Sequence, residues 1–120
     1  MVQALQGVTV LDLGQIYNGP YATFLMASAG ARVIKVESLG GEALRGRGMM
    51  SSAAYPFAML NQGKESITLN LKSDRGRELF LALVKKADVV LENYSPDTME
   101  NLGLGASSLQ TANPSIIYAC

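Results

Sequence analysis

Gly63 and Lys64, in the run "LNQGKESITLNLKSDRG", are the pair in this sequence that most suggests phosphate chemistry. A P-loop needs GxxxxGK[ST] leaving a strand and entering a helix, so that backbone N–H groups and the helix end surround the phosphates. Here the first glycine is missing, Glu65 stands where Ser or Thr is required, and the pair runs into a strand pattern. Lys64 therefore reads as a solvated lysine at the start of a strand. A dinucleotide turn fares little better. Glu37 lies about as far past Gly19 as a ribose-binding acid should, but Gly14 and Gly19 are separated by four residues and no GxGxxG is present. NAD stays as an alternative ligand, with Glu37 otherwise a polar strand end or a loop anchor.

The carboxylates Asp12, Glu37, Glu42, Asp88, Glu92 and Asp97 are scattered over different elements. A lone carboxylate at a strand end is more often a cap or ion-pair member than a nucleophile. The chain has no histidine, and its single cysteine is Cys120. Alone it can build no Ser-His-Asp or Cys-His pair, no His-based zinc site and no internal disulfide. No catalytic or metal-binding residue is assigned.

The elements that must position any site come next. The 120 residues suffice for one sheet with helices and one small domain. Ten Lys and Arg balance ten Asp and Glu, so no global field favours nucleic acid or an anionic membrane, and any anion site must be local. No stretch approaches the ~20 apolar residues of a membrane span, and "MVQALQGVTVLDLG" lacks a basic start followed by a long apolar run. A cytoplasmic protein is expected, in line with its cysteine usage.

"VTVLDL" (8–13) reads as a buried strand, and "NGPYATFLMASAG" as a helix capped by Asn18 or Gly19, with Pro20 in its first turn and Gly30 ending it. "RVIKVE" (32–37) gives a second strand suited to a sheet covered on both faces. Residues 38–55 read as a loop, followed by a short helix at 56–61 and a strand, "SITLNL", at 66–71. Ser73 caps "DRGRELFLALVKKA", whose Leu79, Phe80, Leu83 and Val84 share a helical face. "ADVVLEN" is a strand, short helices follow near 98–101 and 107–111, and "PSIIYA" is the last strand. This βα alternation predicts a mostly parallel sheet with ligands at the carboxyl ends of its strands.

Taken in order, "LQGVTVLDLGQIYNGPYATFLMASAGARVIKVES", "LNQGKESITLNLKSDRGRELF" and "ADVVLENYSPDTMENLGLGASSLQTANPSIIYA" resemble the amino-terminal part of a family III CoA-transferase. The resemblance covers nearly the whole chain and is weakest from Ser38 to Tyr55. It implies an α/β, Rossmann-like, mostly parallel sheet with helices on both faces, truncated relative to the family. Residues 1–120 would be the amino-terminal part of the CoA-binding large domain, with the catalytic segment and small domain absent. It also implies coenzyme A or acyl-CoA as substrate without a metal, a carboxylic acid acceptor, an interlocked homodimer, and an acyl-carrying aspartate beyond residue 120.

Carried over by position, Tyr17 and Asn18, with Gln15 close by, match the first-turn site that meets the thioester end of CoA. Ser38 falls where an arginine can contact the adenosine. Leu69, Asn70 and Lys72 match the strand-end segment meeting the adenine and phosphates, with Lys72 as a local cation. Asn93 and Tyr94 match an Asn-aromatic pair lining the CoA site, and Asn101 stands where an arginine often grips a phosphate. Arg45 and Arg47 are the chain's own candidates to compensate for the missing positive charge. The expected function is the CoA-binding portion of an acyl-CoA:carboxylate CoA-transferase, inactive alone. An acyl-CoA racemase of the same superfamily, or a non-catalytic CoA-binding or dimerising fragment, is the alternative.

Overall fold

A computed structural model describes residues 1–46 and 54–120. In chain order the elements are β1 (Thr9–Asp12), α1 (Asn18–Ser28), β2 (Arg32–Glu37), α2 (Ala43–Gly46), α3 (Ala54–Asn61), β3 (Glu65–Thr68), α4 (Asp74–Val84), β4 (Val89–Leu91), α5 (Thr98–Asn101), α6 (Ala106–Ala112) and β5 (Ile117–Ala119). The five strands form one sheet in the order β3-β2-β1-β4-β5, every pairing parallel. The chain works outward from β1 to β3, then restarts on the other side at β4. The crevice between the ends of β1 and β4 is thus the topological switch point, where open α/β sheets place ligands.

Alternation along the central strands gives the sheet two unlike faces. Leu11 and Leu13 of the β1 segment, with Ile34 and Val36 of β2, pack with Phe80 and Val84 of α4 and Leu109 of α6. On the other face, Val10, Val33 and Val89 pack against Met26 and Ala27 of α1. That second face turns ionic toward the carboxyl ends of the strands, where Asp12, Lys35 and Glu37 are all buried. Asp12 and Lys35 are register partners on adjacent strands.

Most predicted elements are present, with informative differences. The expected loop over 38–55 contains the short helix α2, and its central part lies outside the described residues. β3 stops at Thr68 instead of Leu71: Leu69 N–H still donates to the Glu37 carbonyl at 2.9 Å, and then Asn70 turns the chain. Ser73 caps α4 as expected, its Oγ accepting from Gly76 N–H at 3.0 Å. The N-cap of α1 is Tyr17, which makes no side-chain cap bond, in place of Asn18 or Gly19.

Candidate functional site

The turn between β1 and α1 is built by close approach. A Cβ on Gly14 would sit 2.8 Å from Gly19 backbone atoms, and one on Gly19 would sit 2.7 Å from the Gly14 Cα. These two glycines therefore serve backbone contact within the turn. Between them Ile16 adopts φ +64°, an αL conformation that costs a β-branched residue ~1–2 kcal/mol. Ile16 N–H donates to Glu42 Oε1 at 2.9 Å. From the end of β4, the Asn93 side chain accepts from Gln15 N–H at 2.7 Å and donates to the Gln15 carbonyl at 3.0 Å.

Beneath the turn lies a buried ion network. Asp12 Oδ1 accepts from Gly14 N–H at 2.7 Å, and Oδ2 accepts from Thr23 Oγ1 at 2.7 Å and from Lys64 Nζ at 2.9 Å. Lys64 Nζ also lies within 2.9 Å of the Pro20 carbonyl, Thr23 Oγ1 and Asn61 Oδ1, and its side chain is 1% exposed. The expectation of a solvated Lys64 is corrected: the residue joins α3 to β1 and α1. Burial pushes its ammonium below the ordinary lysine value, and the Asp12 carboxylate opposes that shift. Lys35 Nζ donates to the Gly14 carbonyl at 2.8 Å.

Glu37 continues the network. Its carboxylate accepts both Arg45 contacts at 2.7 Å, Ser66 Oγ at 2.6 Å and Glu42 N–H at 2.8 Å. Burial would raise its pKa, but these donors outweigh it and hold the group at about 2. Glu37 is therefore the loop anchor of the two readings open from sequence, since its oxygens are engaged by protein donors. Arg45, also 4.0 Å over the Phe57 ring, is engaged in turn, and Arg47 lies outside the described residues. Asp12, Glu37 and Glu42 thus face Lys35, Lys64 and Arg45 in one charge-balanced set. Among the described residues no buried side-chain nitrogen or oxygen lacks a partner.

Over this base, at the carboxyl ends of β1 to β4, opens a cleft of about 440 Å³, within the range of small-molecule sites. Gln15, Ser38, Leu69, Asn70, Lys72 and Tyr94 all line it. Val36, Leu39, Leu71 and Leu102 supply apolar walls. Asn70 shapes the rim: its carbonyl accepts from Ser73 N–H and Ser73 Oγ, and its Oδ1 accepts from Lys72 N–H at 3.2 Å. A Cβ on Gly76 would collide with that Asn70 carbonyl. Lys72 is exposed and belongs to none of the ion pairs among the described residues, which engage Arg32, Lys35, Arg45, Lys64, Arg75 and Arg77. Burial raises the pKa of Tyr94, which keeps its hydroxyl protonated as a hydrogen-bonding group in the cleft.

Tyr17, Asn18, Asn93 and Asn101 are not brought into the cleft wall. Tyr17 is 54% exposed, and Asn18 and Asn101 face solvent. Asn93 is exposed at the end of β4 and braces Gln15. Sequence reasoning did not anticipate Glu42 or the engagement of Lys35 and Lys64. One signal was available: a lysine within the apolar run "RVIKVE" and an aspartate within "VTVLDL" are charges at matching places in two strands expected to pair.

The sequence model of CoA-transferase family III matches residues 5–120. A succinyl-CoA:mesaconate CoA-transferase of Haloarcula marismortui is 45% identical over 97% of this chain and 31% of its own length. A formyl-CoA:oxalate CoA-transferase of Streptomyces avermitilis is 40% identical over 99% of this chain and 30% of its own. The crystal structure of a CAIB/BAIF family protein from Brucella suis superposes with a TM-score of 0.90 at 38% identity, covering 99% of this chain and 33% of that one. The chain thus spans about 30% of the length of these relatives. With this match along nearly all of its sequence, the chain belongs to CoA-transferase family III.

Proposed function

We propose that these 120 residues are the amino-terminal, CoA-binding part of an acyl-CoA:carboxylate CoA-transferase. The observation that carries the reading is the cleft at the carboxyl ends of the strands, with Lys72 at its rim outside the ion pairs of the described residues, in a family whose members use CoA thioesters. Leu69, Asn70 and Lys72 would meet the adenine and phosphates, with Ser38 across the cleft at the adenosine. Gln15 and Tyr94 would face the pantetheine and thioester end, with Tyr17 and Asn18 on the outer side of the same turn and Asn93 bracing it from the end of β4. Asn101 would flank the phosphates from α5. The acyl-carrying aspartate would lie outside these residues, the acceptor would be a carboxylic acid, and the working unit would be a cytoplasmic homodimer.

The engagement of Glu37 favours CoA over NAD, because a ribose-binding acid needs a free carboxylate oxygen and both of its oxygens are engaged by protein donors. Calorimetric titration of the chain with CoA and, separately, with NAD tests the reading. Saturable binding of CoA with no heat from NAD is expected. Binding of neither, or tighter binding of NAD, would overturn it.

A further inference from the structure

Gln15 and Ile16 are gripped by side chains from the end of β4 and from the segment between β2 and α2, and the two grips differ in what they demand. Asn93 takes both backbone groups of Gln15, as a paired strand would. Glu42 takes the Ile16 N–H alone, at the one described β-branched residue whose φ is positive. Glu42 is itself fixed: its other oxygen accepts from Leu44 N–H at 3.2 Å, and its own N–H donates to Glu37. It is 4% exposed, although it belongs to the segment following β2. An unfavourable conformation persists only where its surroundings over-determine it, and here the determinant is a buried carboxylate from a different loop. The consequence is directional. With Ile16 turned left-handed, Gln15 lines the cleft while the next residue, Tyr17, points to solvent.

We infer that Glu42 is a positioning residue for the cleft. By holding Ile16 in its left-handed turn, it presents the Gln15 side chain to the ligand. The ligand half of this inference rests on the CoA reading above; the clamp itself does not. A merely structural Glu42 would tie two loops together whatever residue occupied position 16. A positioning Glu42 acts through the conformation of Ile16, so its importance should vanish where that conformation carries no penalty.

Glu42→Gln, Ile16→Gly and the double variant separate these roles. A glutamine has one acceptor oxygen for the two N–H groups that Glu42 serves, and it turns its amide NH2, a donor, toward the other. Glycine adopts positive φ without cost. In Glu42→Gln, hydrogen exchange at Gln15 and Ile16 should accelerate while α4 stays protected, showing that the fold persists. The CoA dissociation constant should rise by about tenfold in the Ile16 background. It should change by less than about twofold in the Ile16→Gly background. Equal losses of affinity in both backgrounds would make Glu42 a structural tie and overturn the inference. Unchanged exchange at Ile16 in Glu42→Gln would overturn the clamp itself. If the parent chain binds no CoA, the presentation of Gln15 to that ligand falls with the CoA reading, while the exchange result still decides the clamp.

Discussion

The two faces of the sheet are sealed in opposite ways by alternate residues of the same strands. On the face of α4 and α6, Leu11, Leu13, Ile34 and Val36 meet Phe80, Val84 and Leu109, and burial of apolar surface holds the layers together. On the face of α1 and α3, the apolar packing of Val10 and Val33 gives way to Asp12, Lys35, Lys64 and Glu37. On the apolar face attraction is non-directional, so a truncation there leaves a cavity. On the ionic face each charge removed strands its partner out of water. That difference suits their places: the ionic network lies directly under the β1–α1 turn and fixes its backbone through Gly14, whose N–H and carbonyl are both bonded.

The sharpest way to break this comparison is a pair of truncations. Lys64→Ala leaves Asp12 buried without its nearest cation and should cost about 3–5 kcal/mol of unfolding free energy. Phe80→Ala, a cavity on the apolar face, should cost a similar ~3–5 kcal/mol. The two losses should part when Asp12→Asn is added. The Lys64→Ala chain should recover part of its stability, and the Phe80→Ala chain should only lose more. Denaturant midpoints of the four variants decide the matter, and recovery in both backgrounds would mean that Asp12 is a general liability with no special tie to Lys64.

Acid should act on the ionic face through Glu37. Against the effect of burial, Arg45, Ser66 and the Glu42 N–H hold the folded Glu37 carboxyl at about 2, well below the ordinary carboxylate value of 4.5. Its contribution is therefore fully present above about pH 4.5 and is lost as pH falls toward 2, amounting to ~3 kcal/mol across that window. Stability measured from pH 6 to pH 2 should fall less steeply in Glu37→Gln than in the parent chain. Parallel curves would remove Glu37 from the acid response.

A smaller effect belongs to the rim of the cleft, where Ser73 both caps α4 and donates to the Asn70 carbonyl at 2.8 Å. Ser73→Ala should cost about 1 kcal/mol, the usual scale for an N-cap. A loss near zero would show that the turn at Asn70 is held without the Ser73 hydroxyl, by the Ser73 and Lys72 N–H groups that Asn70 accepts.

The apolar face was largely legible in the sequence. The periodicity of "DRGRELFLALVKKA" and its Ser73 cap located α4, and the β-branched runs located β1, β2 and β4. Of the face predicted for α4, Phe80 and Val84 are fully buried, whereas Leu79 is 39% exposed, since the helix meets the sheet along a narrower stripe. The ionic face was not legible, for a physical reason: Lys64 and Asp12 are 52 residues apart, and a lysine after a turn is read as solvated unless its partner is known. The same holds for Glu42, whose target is a backbone N–H in another loop. Residue types at strand ends pointed to Gln15, Asn70, Lys72 and Tyr94 through the family resemblance. Asn93 matched the same pattern, but its side chain engages the protein backbone. Side chains that bond backbone leave no periodic trace in a sequence.

The most direct test of the central claim, that the cleft holds the nucleotide part of CoA, is the CoA affinity of Lys72→Ala measured beside its unfolding midpoint. Lys72 is exposed at the cleft rim and outside every ion pair of the described residues, so its loss should leave the midpoint in place. The account predicts CoA binding weakened by about tenfold, the scale of one charge-assisted contact to phosphate. Unchanged affinity at an unchanged midpoint would contradict it.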